Sequence, residues 1–208
     1  MKKHNNSIPI IPDLYHLTPK DLSQASNVLG KAFGEDPIWV EILKDEPEKF
    51  SIAFEVPLKQ CLKYGRVYCS SSNLEGIAAW LPSKYVSVNF FQFIWCGAFL
   101  SAMKLGNKIG KRISEVAKIL TEDRKLNVKE PYIYLYVIGV SPDNQGKGIG
   151  SHLINTMIGS LALEFPIYLE TETEQNVKFY EKLGFKVLKK VTIPSLGLPM
   201  WEMLHERK

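Results

Sequence analysis

Leu22, Ala25, Val28, Leu29, Ala32 and Phe33 recur at three- and four-residue steps, which sets them on one face of a helix. Ahead of them, Thr18-Pro19-Lys20-Asp21 offers a capping hydroxyl, a proline at the first helical position and an acid beside the free amides of a helix start. Gly34 is expected to close that helix in the left-handed conformation. Glu35-Asp36-Pro37-Ile38-Trp39 then reads as a helix-to-helix corner. Residues 51 to about 64 read as another helix, which Pro57 must kink or restart because it has no amide to donate.

The period then changes. Arg66 to Ser71 and Gly76 to Leu81 are β-rich runs joined by Ser72-Asn73-Leu74-Glu75, which predicts two antiparallel strands. Tyr132 to Val140 is apolar and aromatic on both faces, as in a central strand. Ile149, Leu153, Ile154, Met157, Ile158 and Leu161 mark a helix after it, and Ile167 to Thr171 a further strand. Strand, helix, strand in this order predicts a parallel pair with a right-handed crossover, and ligands of such sheets sit outside the carboxyl ends of the strands.

Between the two β regions, Ile109, Ile113, Val116, Ala117 and Leu120 keep helical spacing, so residues 84 to 130 are read as a helical insertion. Its first part, the 19 residues between Lys84 and Lys104, carries no charge and approaches the length of a membrane span. Ser87, Asn89, Gln92 and Ser101 within it, and soluble-looking chain on both sides, favour buried helices instead. From Lys104 to Glu130 stand eight Lys or Arg and four Asp or Glu, a surplus expected on a solvated helical face.

With 208 residues, 45% hydrophobic and 23% charged, the chain suits a single domain, 1–208, with one core. The net charge of +4 is too small for a nucleic-acid partner. Cys61, Cys69 and Cys96 contain no C-x-x-C pair and read as reduced thiols, and His4, His16, His152 and His205 have no metal-ligand spacing, so no metal is expected. Met1 to Pro12 has no apolar stretch of the signal-peptide kind, which predicts a cytoplasmic protein; no stable membrane insertion is expected, and the oligomeric state, monomer or homodimer, is not read from the sequence.

The chemistry concentrates after Val140. Ser141-Pro-Asp-Asn-Gln-Gly-Lys-Gly-Ile-Gly-Ser151 joins a strand to a helix with Gly146, Gly148 and Gly150 at alternate positions, so several amides stand unblocked at a positive helix end. Three glycines and Lys147 exceed what a tight turn alone requires, and the loop is read as an anion cradle. The nucleotide-triphosphate pattern G-x-x-x-x-G-K-[ST] fails, because Gly148 follows Lys147. The dinucleotide pattern begins at Gly146-Lys147-Gly148, but Gly150 arrives one residue early and leaves Ser151 in the third place.

Gln145-Gly146-Lys147-Gly148-Ile149-Gly150 fits [RQ]-x-x-G-x-[GA], and Asn176-Val-Lys-Phe-Tyr-Glu-Lys-Leu-Gly-Phe185 fits N-x-x-x-Y-x-x-x-G-F downstream. In these two ordered motifs the chain resembles the GCN5-related N-acetyltransferase (GNAT) superfamily, chiefly over residues 131 to 188. The resemblance implies an α/β fold with a mixed central sheet flanked by helices. It also implies acetyl-CoA as cosubstrate, its pyrophosphate on the amides of Gln145, Gly146, Lys147, Gly148, Ile149, Gly150 and Ser151. The pantetheine arm would run beside Ile138, Gly139 and Val140 where two parallel strands splay, with Gly139 relieving a bulge. Asn176 is expected to cap a helix, to touch the coenzyme, or both.

Acetyl transfer to an amine requires a neutral amine, a donor to the tetrahedral oxyanion and a proton for the departing thiolate. The resemblance assigns that proton to Tyr180, whose other reading is core packing beside Phe179. Glu170 and Glu172 leave their strand on alternate residues, and either is a candidate base. Asp36 and Trp39 suit a cationic amine, or else are a surface acid and a packed indole. The expected activity is N-acetylation of a small-molecule or peptide amine, and the helical insertion at 84 to 130 is expected over the acceptor side, where its aromatic residues from Tyr85 to Phe99 could cover an apolar amine. Two alternatives stand beside it: the same fold as a coenzyme A sensor without turnover, and a Rossmann-type nucleotide-binding protein.

Overall fold

The computed structural model describes residues 8–129, 131–161 and 165–206. His4, Glu130, the side chain of Leu161 and the rest of the first seven residues lie outside the described part.

Among these residues seven strands form one sheet. They are β1 (Tyr15–His16), β2 (Arg66–Cys69), β3 (Gly76–Pro82), β4 (Ile133–Val140), β5 (Ile167–Thr171), β6 (Lys186–Ile193) and β7 (Leu198–His205), in the spatial order β1-β2-β3-β4-β5-β7-β6. Only β4 and β5 are parallel; every other neighbouring pair is antiparallel. This mixed sheet is the expected fold class, and it overturns the Rossmann alternative, which needs a parallel doubly wound sheet. The sequence reading left 186–205 unassigned, and that stretch supplies the two strands beyond β5.

Among the described residues eight α-helices accompany the sheet: α1 (Leu22–Ala32), α2 (Pro37–Leu43), α3 (Phe50–Tyr64), α4 (Phe90–Trp95), α5 (Ala98–Leu105), α6 (Asn107–Asn127), α7 (Ile149–Leu161) and α8 (Glu174–Lys182). Because successive side chains of a strand point to opposite faces, β3 serves two cores at once. Ala78 and Trp80 join Leu153, Ile154 and Met157 of α7, while Ile77, Ala79 and Leu81 join Leu29 of α1 and Phe54 and Leu58 of α3. The start of α1 is built as expected: Thr18 and Asp21 form a reciprocal capping box over a 3-10 turn. α3 runs through Pro57 without a break.

Four expectations change. Gly34 does not turn left-handed; α1 ends at Phe33, whose amide donates to the Leu29 carbonyl. The bulge is not at Gly139. The β3–β4 register slips where Ala79 faces Val137 and Trp80 faces Leu135, so Tyr136 is the extra residue. Tyr136 and Val137 consequently point to the same face, and Gly139 is carried beneath α1, where an added Cβ would stand 2.7 Å from Leu29. Glycine there makes room for a helix. The basic surplus is not wholly solvated, since Arg124 of α6 is buried.

The fourth change is larger. The uncharged segment is buried only in part: Ala98 and Ser101 of α5 are buried, but no residue of α4 is, and Phe90, Phe91, Ile94, Trp95, Leu100 and Met103 stand exposed. Among the described residues no helix is long and apolar enough to cross a membrane. Cys61 and Cys69 are buried, Cys96 is half-buried, and all three are free.

Gly65 ends α3 against β3, where a Cβ would meet the Trp80 carbonyl oxygen at 2.0 Å, a backbone atom that cannot swing aside. Gly65→Ala should therefore destabilise the protein by about 3 kcal/mol. Gly110→Ala, in α6 with no neighbour within 4 Å, should stabilise it by about 1 kcal/mol. Urea unfolding of both variants, read as shifts in midpoint at constant slope, checks the pair.

Candidate active site

β4 and β5 begin as partners and then separate. The Ile133 amide donates to the Pro166 carbonyl, and the register pairs are Ile133 with Ile167 and Tyr134 with Tyr168; none follows among the described residues. From Leu135 onward β4 has β3 on one side and a gap on the other. The Ser141 amide donates to the Glu75 carbonyl beyond β3, and backbone groups alternate along a strand. Gly139 therefore faces β3, while Ile138 turns its amide and carbonyl to the gap and Val140 its amide, the Val140 carbonyl accepting from the Gln145 side chain.

The glycine loop stands at the end of that gap. Gly146 and Gly148 take φ of +75° and +79°, which L side chains rarely adopt. A Cβ on either would meet nothing within 4 Å, so the loop is a concave backbone cradle with open space above it. α7 begins at Ile149, and His152 donates to the Gly148 carbonyl at 2.9 Å, so the amides from Gly146 to Ser151 lie ahead of the helical ladder. Gln145 reaches back to the Val140 carbonyl, and Lys147 holds the Asp143 carbonyl and Asn144 Oδ1, each at 2.9 Å. The lysine thus braces the loop. Gly150 packs toward Phe179 and Val140, which joins the cradle to α8.

Asn176 does not cap α8. Thr173 does, its hydroxyl accepting from the Asn176 amide, and the helix starts at Glu174. Asn176 is half-buried in the first turn. Tyr180, one helical turn on, is buried between Phe179 and Phe185 at ring distances of 5.1 and 5.7 Å. Burial, and then the nearby Glu172 carboxyl, raise its hydroxyl pKa, so it stays protonated at neutral pH.

The two candidate bases have different surroundings. Glu170 is pinned: it pairs with Arg124 at 2.7 Å, accepts from Tyr168 at 2.8 Å, and takes a further short hydrogen bond from Tyr134. Arg124 also lies 5.0 Å above the Tyr134 ring and 5.8 Å above that of Tyr168. Glu170 thereby ties β4, β5 and α6 together at the closed end of the gap. Glu172, past the end of β5, instead lies close enough to Asp36 for the two carboxyls to perturb each other. Burial pushes the Glu172 pKa well up, and the neighbouring Asp36 charge adds to this.

Asp36 is itself fastened, because its Oδ1 accepts from the Ile38 and Trp39 amides at 3.1 and 3.0 Å and so caps α2. Burial raises its pKa too. Trp39 packs on Phe54, 4.8 Å between rings. The structure thus brings Asp36, Glu172 and Tyr180 together and sets Glu170 apart in a tyrosine–arginine network. Sequence reasoning missed Arg124, Tyr134 and Tyr168. Tyr132, Tyr134 and Tyr136 at alternate positions were the available signal, but α6 hid its buried arginine among solvated lysines. Glu202 on β7 belongs to the same polar layer: it is fully buried, Asn127 donates to it at 3.1 Å, and its Oε1 has no partner among the described residues. Among those residues no group of His, Cys, Asp or Glu has the arrangement of a metal site.

Residues 105–187 match the family model described as an acetyltransferase (GNAT) domain. A peptidyl-lysine N-acetyltransferase, YjaB of Escherichia coli K12, is 37% identical over 60 residues, which span 29% of this chain and 40% of that protein. Similar folds occur in a solved structure of histone acetyltransferase HPA2 and related acetyltransferase from Corynebacterium glutamicum, with TM-score 0.64, 22% identity and coverage of 96% and 98% of the two chains. Arabidopsis thaliana Naa50, solved with a bisubstrate analogue of coenzyme A, is also similar, at TM-score 0.52, 14% identity and coverage of 93% and 97%.

The carboxyl pair has a measurable consequence. In the unfolded chain Glu172 ionises near its ordinary 4.5, whereas in the fold it keeps its proton to higher pH. Its contribution to stability is full below that ordinary value and is lost as pH rises through the raised one. Glu172→Gln removes the ionisation. It should raise Tm by a few degrees at about pH 8 and leave it unchanged near pH 4, which differential scanning fluorimetry of variant and wild type across pH will show.

Proposed function

From the GNAT acetyltransferase domain match over residues 105–187 and the shared fold, we propose that the chain is a GNAT enzyme that transfers the acetyl group of acetyl-coenzyme A to a primary amine. The observation that carries the reading is the joining of two features: a strand pair that parts after two register pairs, and a cradle of left-handed glycines at the mouth of the gap. The loop's open concavity suits a diphosphate, because only a backbone without side chains lets an anion reach several amides at a helix N-terminus. The unpaired edge of β4 suits an amide-bearing arm, which Ile138 and Val140 would hold as an added strand. The coenzyme supplies an activated thioester; the rest of the chemistry is the protein's.

An amine in water is mostly ammonium and must lose a proton before it attacks. Asp36 and Glu172 face each other as half-buried carboxyls, and burial raises both pKa values, so the pair holds a proton more tightly than exposed carboxyls do. We assign Glu172 as the base, directly or through water, and Asp36 as the group that orients it while capping α2. A singly ionised pair also attracts the incoming cation. Tyr180 is assigned as the acid for the departing thiolate, since its hydroxyl stays protonated. A backbone amide of the 138–140 edge is assigned to the oxyanion. Glu170 is withdrawn from catalysis in this reading, because three donors already occupy it.

The acceptor is an amine on a small molecule or a peptide; the lysine-directed relative supports the latter over part of its length. A screen of amines for free-thiol release from acetyl-coenzyme A tests turnover directly. Coenzyme-dependent stabilisation without thiol release for any amine would assign the fold to sensing instead. Tyr180→Phe should lower kcat about a hundredfold while leaving the coenzyme Kd unchanged, as measured by stopped assay and calorimetry. Gly148→Val, which forces a β-branched residue to φ +79°, should weaken coenzyme binding about tenfold or more and shrink the coenzyme-induced rise in Tm.

A further inference from the structure

None of the residues assigned above to acetyl transfer lies on the exposed apolar face of α4 and α5. Phe91 is 79% exposed, Trp95 76%, Leu100 65%, Met103 63% and Phe90 62%. Phe90 lies 6.2 Å from Phe91 and 6.1 Å from Phe99 between ring centroids, so the rings form one patch. Large contiguous apolar patches on soluble domains mark contact surfaces.

α4 is fastened from behind by polar groups. Asn89 and Gln92 form a reciprocal capping box, and the Tyr64 hydroxyl donates to the Gln92 carbonyl at 3.0 Å. A six-residue helix held this way, with none of its side chains buried, presents its aromatic residues outward.

The charge around the patch selects the partner. No Asp or Glu occurs between Glu75 and Glu115; in space Lys108 and Arg112 pair with Asp45, and Glu55 sits with Lys59 beside Ser101 of α5, which leaves Lys84, Lys104 and Lys111 exposed and in no ion pair among the described residues. Lys63 is exposed and sits 5.7 Å over the Trp95 ring, and the exposed Lys84 sits 5.0 Å over Tyr85. Aromatic and aliphatic side chains flanked by the exposed Lys63, Lys84 and Lys104 are the composition of a segment that lies in the interface of an anionic bilayer. A second copy meeting this face about a two-fold axis would set lysine against lysine with no acid of the segment to pair them.

We propose that the α4–α5 face docks on an anionic membrane surface, its aromatic residues entering the headgroup region and the flanking lysines meeting lipid phosphates. The chain would lie on the membrane and not span it, in keeping with the shortness of these helices. This inference does not rest on the acetyltransferase reading.

The test is co-sedimentation of the full chain with phosphatidylcholine vesicles made with and without phosphatidylglycerol, together with tryptophan fluorescence. Trp80 and Trp201 are buried and Trp39 is half-buried, so a blue shift on binding reports Trp95. Wild type should bind the anionic vesicles, shift its emission to the blue and release in high salt. Phe91→Ser with Trp95→Ser, both at exposed positions, should keep the wild-type Tm and bind about tenfold or more weakly. Should that pair not fold, Phe91→Ser alone should show a smaller loss. Lys84→Gln with Lys104→Gln should erase most of the preference for anionic over neutral vesicles, by about tenfold. The proposal is overturned if wild type stays in the supernatant with anionic vesicles, or if the serine variants bind as wild type does. A wild-type dimer in light scattering that the serine pair dissolves, without vesicle binding, overturns it in favour of a second copy.

Discussion

The parting of β4 from β5 governs the rest of the molecule. Strands that stayed paired would consume the backbone groups of Ile138 and Val140 and close the space between the glycine loop and the carboxyl pair. Two devices enforce the separation. At the closed end, Arg124, Tyr134, Tyr168 and Glu170 lash the strands together through one carboxylate. Just beyond, the extra residue Tyr136 reverses which way β4 points its side chains and backbone groups. A buried ion pair is a poor source of net stability, but here it fixes where the pairing stops.

The second constraint runs from α2 to the far side of the gap. Asp36 spends one oxygen on the α2 amides and still reaches Glu172 at the end of β5. A helix cap and a pair of mutually perturbing carboxyls therefore depend on the same group, and the position of α2 is linked to the protonation of a residue on another element. Tyr180, on α8, adds a third element to that cluster.

Much of this was legible in the residues themselves. The capping box at Thr18, the antiparallel pair β2–β3, the strand–loop–helix at 132–161 and the parallel β5 follow from local chemistry that tertiary packing does not override. Gly139 was misread because the sequence shows a glycine but not what lies above it; α1 needed the room, and the bulge fell on Tyr136. Arg124 was misread for the opposite reason, since charge patterning cannot distinguish the one arginine of a basic helix that turns under the sheet. The uncharged segment was taken as core because apolar length usually means burial, whereas its surroundings leave α4 outside. Thr173, not Asn176, caps α8, a difference of three residues that only the hydrogen bond decides.

β6 is the outermost strand beyond β7, and its side chains are largely exposed. An unpaired strand border invites other chains to extend the ladder. Here Lys186, Lys189 and Lys190 occupy that border, two of them engaged in ion pairs with Glu206 and Asp123 and the third laid over Trp201. The opposite border, β1, is only two residues long. Crowded solutions of this protein thus have little purchase for fibril growth through the sheet, which leaves its exposed aromatic helices as the surface where self-association has to be managed.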